Sequence, residues 1–361
     1  MSDITRIAVV GLGLIGKRHA NILCRTPGVE LSGVVEQSEG GQQEARRLGV
    51  PVFASLDELL SNGGSDGIIL ATPTPLHVDQ GLACIANECP VLIEKPIAVT
   101  AGEAKLLTDA AAAAGVPLLV GHHRRYNGMV RSAKQAIDDG MIGSVRSVQA
   151  TCWFYKPDHY FDLAPWRTQK GAGPISVNLV HDVDLLRHFC GEVTEVRAIA
   201  VPSIRGFENE DLATAILSFA SGAIASISVS DSIVAPWSWE LTARENPAYP
   251  ATNESCYLIG GSQGGLSLPE LRVWRHASKP DWWTPISATT LTCSIEDPLA
   301  VQVRHFSDVI SGRAAPLVSG LEGLKSLEIV EAVTTAASSG KSVRVANIYD
   351  AQPTKHATAS L

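Results

Sequence analysis

The first forty residues restrict the possible folds of this chain most. A β-branched run at 4–10 passes into Gly11-Leu12-Gly13-Leu14-Ile15-Gly16, then a helical stretch, then a second run, LSGVV at 31–35, that ends at Glu36. Glycines at these spacings meet three physical needs: a tight turn, close approach of backbone to a pyrophosphate, and close packing of helix on strand. The helix that follows presents free amides and the positive end of its dipole to phosphate. An isolated G-x-G-x-x-G is a weak signal, but Glu36 stands 20 residues beyond Gly16, where a carboxylate accepts from ribose hydroxyls. The combination predicts a dinucleotide site built from Gly11, Gly13, Leu14, Ile15, Gly16, Glu36 and Gln37. A 2′-phosphate beside Glu36 would meet a repulsion of up to about 4 kcal/mol at about 4 Å and an effective dielectric near 20. NAD is therefore expected over NADP, with Arg46 and Arg47 as the counter-argument.

Further β-branched runs at 67–71, 90–93 and 117–121 alternate with helical segments, the pattern of parallel strands joined by crossover helices. Ser55 with Glu58 and Thr100 with Glu103 have capping-box spacing at two helix starts, and Gly115 followed by Pro117 marks a stop. Beyond about residue 122, strand-like runs succeed one another at 144–155, 195–201, 212–219 and 223–231, then WSWELTA at 237–243 and CYLIG at 256–260. One helix at about 175–190 interrupts them, and two at about 298–311 and 322–339 close the chain. Strands without intervening helices indicate an antiparallel sheet. The expected fold is α/β: a doubly wound parallel sheet over 1–122, an α/β domain with a large, mainly antiparallel open sheet over 123–345, and a polar tail at 350–361.

The 361 residues suit about two domains. A formal charge of −8 opposes nucleic-acid binding, which needs a basic footprint. Seven cysteines without C-x-x-C spacing suggest neither a disulfide framework nor a zinc knuckle. The N-terminus enters a strand pattern without a basic leader, and no stretch reaches about 18 uncharged apolar residues, so a soluble cytoplasmic protein is expected, with no membrane partner.

In an open parallel sheet, ligands lie beyond the carboxyl ends of the strands. That edge receives Thr72 and Pro73 after one run and Glu94-Lys95-Pro96 after another. His77 lies beside them, but its place in the first turns of a helix favours a structural role over a catalytic one. Lys95 carries a desolvation cost there. It suits holding a substrate hydroxyl and stabilising the forming alkoxide; the bland alternative is a surface salt bridge with Glu94.

Asn178-Leu-Val-His181-Asp182-Val-Asp184-Leu-Leu-Arg187-His188 is the second constellation. Helical spacing brings Asn178, His181 and Asp184 near one face, and His181 is the natural general base, oriented and tuned by the nearby carboxylates. A capped helix with solvated charges is the alternative. A zinc reading of His181, Asp184 and His188 is set aside because no second ligand cluster is evident, and no metal is expected. The segment 121–127, with His123 and Arg124, is rich in donors at a domain junction and suits a polyhydroxylated or carboxylated ligand, although one of Arg124 and Arg125 can simply bridge the domains. Tyr155 and Trp166 are assigned to stacking on a sugar face.

The ordered motifs GLGLIGKRH, ATPTPLH, EKP and a helix centred on HDVDLL resemble the Gfo/Idh/MocA family, the glucose-fructose oxidoreductase and inositol dehydrogenase group, over nearly the whole chain. The resemblance implies that Lys95 is the catalytic lysine and His181 the acid/base histidine. It places Arg124 in the polar substrate-contact segment, and Trp166-Arg167 resembles the family's tryptophan-arginine pair. Val177 stands where members carry Asp or Asn, with Asn178 one residue on. The expected activity is NAD-dependent hydride transfer from a hydroxyl carbon of a sugar, cyclitol, polyol or sugar acid, in a homodimer or homotetramer formed through the C-terminal sheet. The alternatives are a non-catalytic dinucleotide sensor and an NAD-assisted lyase or glycosidase without net redox change.

Overall fold

The computed structural model describes residues 4–345, so the expected polar tail at 350–361 lies outside the described residues. The first sheet contains β1 (Thr5–Val10), β2 (Val29–Val35), β3 (Val52–Phe53), β4 (Gly67–Leu70), β5 (Val91–Ile93) and β6 (Leu118–Val120), ordered β3-β2-β1-β4-β5-β6. Every pair is parallel. The strands are apolar nearly throughout because helices cover both faces. Strand order reverses between β1 and β4, which opens the crevice where a dinucleotide lies in folds of this kind. The Thr100–Glu103 capping box is fully formed, whereas Glu58 accepts from the Ala54 amide instead of closing its box with Ser55. β3 is only two residues long and left no run to read.

The second sheet contains β7 (Val145–Trp153), β8 (Val193–Pro202), β9 (Glu210–Phe219), β10 (Ile224–Ser230), β11 (Tyr257–Gly261), β12 (Gly264–Leu268), β13 (Arg272–Arg275), β14 (Ser287–Thr290) and β15 (Val343–Arg344). Its order is β14-β13-β12-β11-β7-β10-β9-β8-β15, and β7 with β10 is the one parallel pair among the described strands of this sheet. One face packs on the helices Leu179–Cys190 and Gly320–Ser339. The other leaves Ile199, Ile216, Leu258 and Trp274 exposed. WSWELTA is not a strand. Ser238 caps a short helix, Trp239–Thr242, by accepting from the Leu241 amide, and this local bond displaces the ladder.

The closing helices serve both halves of the molecule. Pro298–Ile310 packs Val303, Phe306 and Val309 against Ile7, Val9 and Ile69 of the first sheet. Gly320–Ser339 places Leu324 and Leu327 in the first core and Ile329, Val330 and Val333 in the second. The division at 122 therefore describes the sheets, while the C-terminal helices clamp them together. Among the described residues no helix is long and apolar enough to cross a membrane.

Candidate active site

The glycine motif is shaped as its spacing predicts. Gly11 has φ +88°, which favours glycine, and a Cβ on Gly16 would lie 1.9 Å from the Gly11 carbonyl oxygen. A Cβ on Gly13 would meet nothing within 4 Å, so open space remains beside the backbone. Gly13 begins the helix Leu14–Leu23 without a side-chain cap and with no acidic residue in the first turn. Its amides are thus available to an anion. Leu14 is exposed and Ile15 half-buried at the rim. Glu36 accepts from the amides of Leu12 and Ser38, each at 2.7 Å. Burial alone would raise its pKa, but these amides hold it below the ordinary carboxylate value. Gln37 is exposed beside it. Open space at Gly13, free helix amides and an ionised carboxylate at the end of β2 all fit a dinucleotide.

At the neighbouring strand ends, Thr72 donates to Gln80 at 2.6 Å and Pro73 is exposed. His77 is buried with its ring nitrogens 2.9 Å from the Thr72 and Pro96 carbonyl oxygens, so it ties together the two strand-end loops of that edge, the structural role its place in the chain favours. Glu94 is buried against His19 at 2.7 Å. Burial would raise its pKa, yet His19 holds it low.

Glu94 is thus committed elsewhere, and no hydrogen bond or ion pair involves the ammonium of half-buried Lys95 among the described residues. The salt-bridge alternative is replaced by a free cation. Burial lowers the Lys95 pKa, partly opposed by Glu94. Lys95 lines a cavity of about 560 Å³ between the halves, with Thr74 and Pro96 on one side and Trp166, Ser176 and Val177 on the other. Val177 thus takes the wall facing the lysine. Asn178 is buried with its Oδ1 unpartnered and cannot be assigned as the lysine's partner.

His181 is also uncommitted. It is buried, and neither ring nitrogen has a hydrogen-bond partner among the described residues; Nδ1 is sealed from solvent. Burial, then the charges of Lys95 and Arg124, hold it well below the ordinary imidazole range, leaving it neutral near pH 7. The carboxylates expected to orient it point elsewhere. Asp182 accepts from Arg124 at 2.9 Å and from the Tyr257 hydroxyl, while Asp184 accepts from Arg125 at 2.9 and 2.7 Å. Arg124 is buried and donates to Asp182 at 2.9 Å and to Glu240 at 2.8 Å, so two carboxylates hold it in place. Arg125 bridges the domains by adding Glu322 at 2.8 Å.

His123 lies with its ring centroid 5.6 Å from that of His181 and bonds Glu245 at 2.7 Å. Trp166 is half exposed on the cavity wall, but Arg167 is turned to the Tyr160 carbonyl at 2.6 Å and ring at 4.0 Å. Tyr155 is exposed, with Arg205 5.5 Å above its ring. His19, Lys156, Glu240, Glu245 and Tyr257 were not singled out in the sequence. The glycine motif's own helix carried His19, but loop and strand residues such as Glu245 gave no local signal. Among the described residues no three metal-binding side chains converge.

Two histidines, buried His122 and half-buried His188, set an acid limit on stability. Burial pushes His122 and His188 down to about 4, whereas in the unfolded chain they titrate near 6.5. Between these values the unfolded state binds more protons, so stability falls as pH decreases from about 6.5 towards 4. Thermal melts across that window should show a declining Tm, and His122→Gln should flatten the decline.

Residues 5–122 match the family described as "Oxidoreductase family, NAD-binding Rossmann fold", and residues 130–266 match the "GFO/IDH/MocA C-terminal domain". The chain is 26% identical over 368 residues to scyllo-inositol 2-dehydrogenase (NAD(+)) of Bacillus subtilis, covering 96% of this chain and 97% of that protein. It is 26% identical to 1,5-anhydro-D-fructose reductase of Ensifer adhaerens, covering 94% and 98%. The WlbA dehydrogenase of Bordetella pertussis, solved with NADH and UDP-GlcNAcA, superposes with a TM-score of 0.77 at 25% identity over 94% of this chain and 98% of that one. With both domains matched in order on a sheet crevice shaped for a dinucleotide, the chain belongs to the Gfo/Idh/MocA family of NAD-binding oxidoreductases acting on CH–OH groups.

Proposed function

We propose that this protein is an NAD-dependent dehydrogenase that oxidises a secondary or anomeric hydroxyl of a sugar, cyclitol, related polyol or sugar acid. The observation that carries the reading is an uncommitted ammonium, Lys95, on the wall of an interdomain cavity, close enough to an uncommitted neutral imidazole, His181 of the other half, for its charge to hold that imidazole's pKa down. Bound NAD would supply the hydride acceptor, held by the Gly11–Gly16 loop and Glu36. Lys95 hydrogen-bonds the substrate oxygen and stabilises the charge that develops there. His181, kept neutral by burial and neighbouring cations, accepts the hydroxyl proton at a ring nitrogen. His123 and Trp166 complete the wall that meets the remaining hydroxyls.

A screen of polyols, sugars and sugar acids by NADH absorbance tests this. At least one compound should give stoichiometric NADH; conversion without net NADH would favour the lyase or glycosidase alternative. The cofactor assignment rests on Glu36. The wild type should have a higher kcat/KM with NAD than with NADP, and Glu36→Gln should narrow the ratio by about tenfold or more as part of the repulsion is removed. The exposed Ile199, Ile216, Leu258 and Trp274 support assembly through the outer face of the second sheet. Light scattering should then give a dimer or tetramer, and Ile216→Glu should shift it towards monomer.

A further inference from the structure

His123 differs from the two histidines it clusters with, His122 and His181. Its Nε2 bonds Glu245 Oε1 at 2.7 Å, and both side chains are largely buried. The second oxygen of Glu245 accepts from Trp239 Nε1 at 2.9 Å and Asn127 Nδ2 at 3.0 Å. Three donors therefore fix the carboxylate. An ionised carboxylate only accepts, so Nε2 of His123 carries a proton, and Nδ1 is an acceptor whenever that is the ring's only one. That Nδ1 has no partner and, unlike Nδ1 of His122 and His181, is not sealed from solvent. The ring meets His181 edge-on, centroids 5.6 Å apart and planes at 72°. The imidazole oriented by a carboxylate is thus His123, whereas His181 has lost that support to two arginines.

We propose that His123 and Glu245 form a second acid–base dyad, which takes from His181 the proton that His181 removes from the substrate. The inference rests on the role of His181 given above. The rings meet edge-on without a hydrogen bond between them, so one water bridges the step: the N–H bond formed on His181 breaks as that water takes the proton and gives up another, a new N–H bond forms at His123 Nδ1, and Glu245 stabilises the resulting imidazolium through the Nε2–H bond. The proton then leaves to solvent from the open side, and His181 returns to its neutral form; in the reductive direction each transfer runs backwards. A buried His181 beside Lys95 and Arg124 holds a proton poorly, so a better-supported acceptor in contact with it completes the cycle. The charged and titratable groups facing His123 are Glu245 beside the short helix Trp239–Thr242, His181 on the helix Leu179–Cys190, Glu94 after β5, and its own neighbours His122 and Arg124.

The test is the pH profile of oxidative kcat for the full-length protein, with NAD affinity measured in parallel as a control for folding. His123→Gln should lower kcat by about 10²-fold with a smaller change in KM, remove an acid-side ionisation from the profile, and regain activity with added imidazole. Glu245→Gln should lower kcat and move the acid limb to lower pH, because His123 loses the charge that supports its protonated form. Unchanged kcat and acid limb in His123→Gln, with only KM raised, would overturn the dyad and leave His123 a simple substrate contact. If instead His181→Gln retained turnover while His123→Gln lost it, the base assignment above would fall and His123 would be the primary base.

Discussion

Lys95→Ala should lower kcat by about 10²- to 10³-fold or more while NAD affinity changes little, because the lost group is a preorganised donor to an oxygen that becomes negative only as the reaction proceeds. The structure gives Lys95 no other duty. Glu94 is held by His19, and no carboxylate spends the ammonium on a salt bridge. The proposed contacts to the adenosine end of the dinucleotide, Gly11–Gly16 and Glu36, lie on different strand ends. Removing the lysine also removes a charge that depresses His181, so the residual activity should show an acid limb moved to higher pH. Lys95→Arg should not rescue, since a planar guanidinium cannot replace a compact ammonium at one oxygen. Steady-state kinetics with a fluorescence titration of NAD separate these effects; near-normal turnover in Lys95→Ala would contradict the assigned chemistry.

Arg125→Leu should have the largest effect on stability. Arg125 makes two hydrogen bonds to Asp184, which is buried, and one to Glu322, which also receives Arg187. Removing the guanidinium leaves two carboxylates facing each other where the helix Leu179–Cys190 meets the helix Gly320–Ser339. Breaking a buried pair of this kind costs about 3–5 kcal/mol, which for a domain of this size lowers Tm by roughly 10 °C. Arg47→Ala, which removes an exposed pair with Glu44 at 2.6 Å, should leave Tm within about 1–2 °C. Equal losses in the two variants by calorimetry would show that burial does not govern these pairs.

The N-terminal half was legible because its signals are local. Alternating apolar runs, the spacing of Gly11, Gly13 and Gly16, and the distance to Glu36 depend on neighbours within a few tens of residues. The antiparallel second sheet was legible for the same reason. What failed were side-chain partnerships across long separations. Asp182 and Asp184 share a helix with His181 and were read as its tuners, but Arg124 and Arg125, 58 and 59 residues earlier, claim them. Glu245 meets His123 across 122 residues, and no periodicity announces such a meeting.

A crystal structure with NAD and a substrate identified in the screen tests the central claim most directly. The reacting hydroxyl should lie within hydrogen-bond reach, about 2.6–3.2 Å, of both Lys95 Nζ and a ring nitrogen of His181, with Glu36 on the adenosine ribose. A complex in which either side chain faces away from the nicotinamide would contradict it.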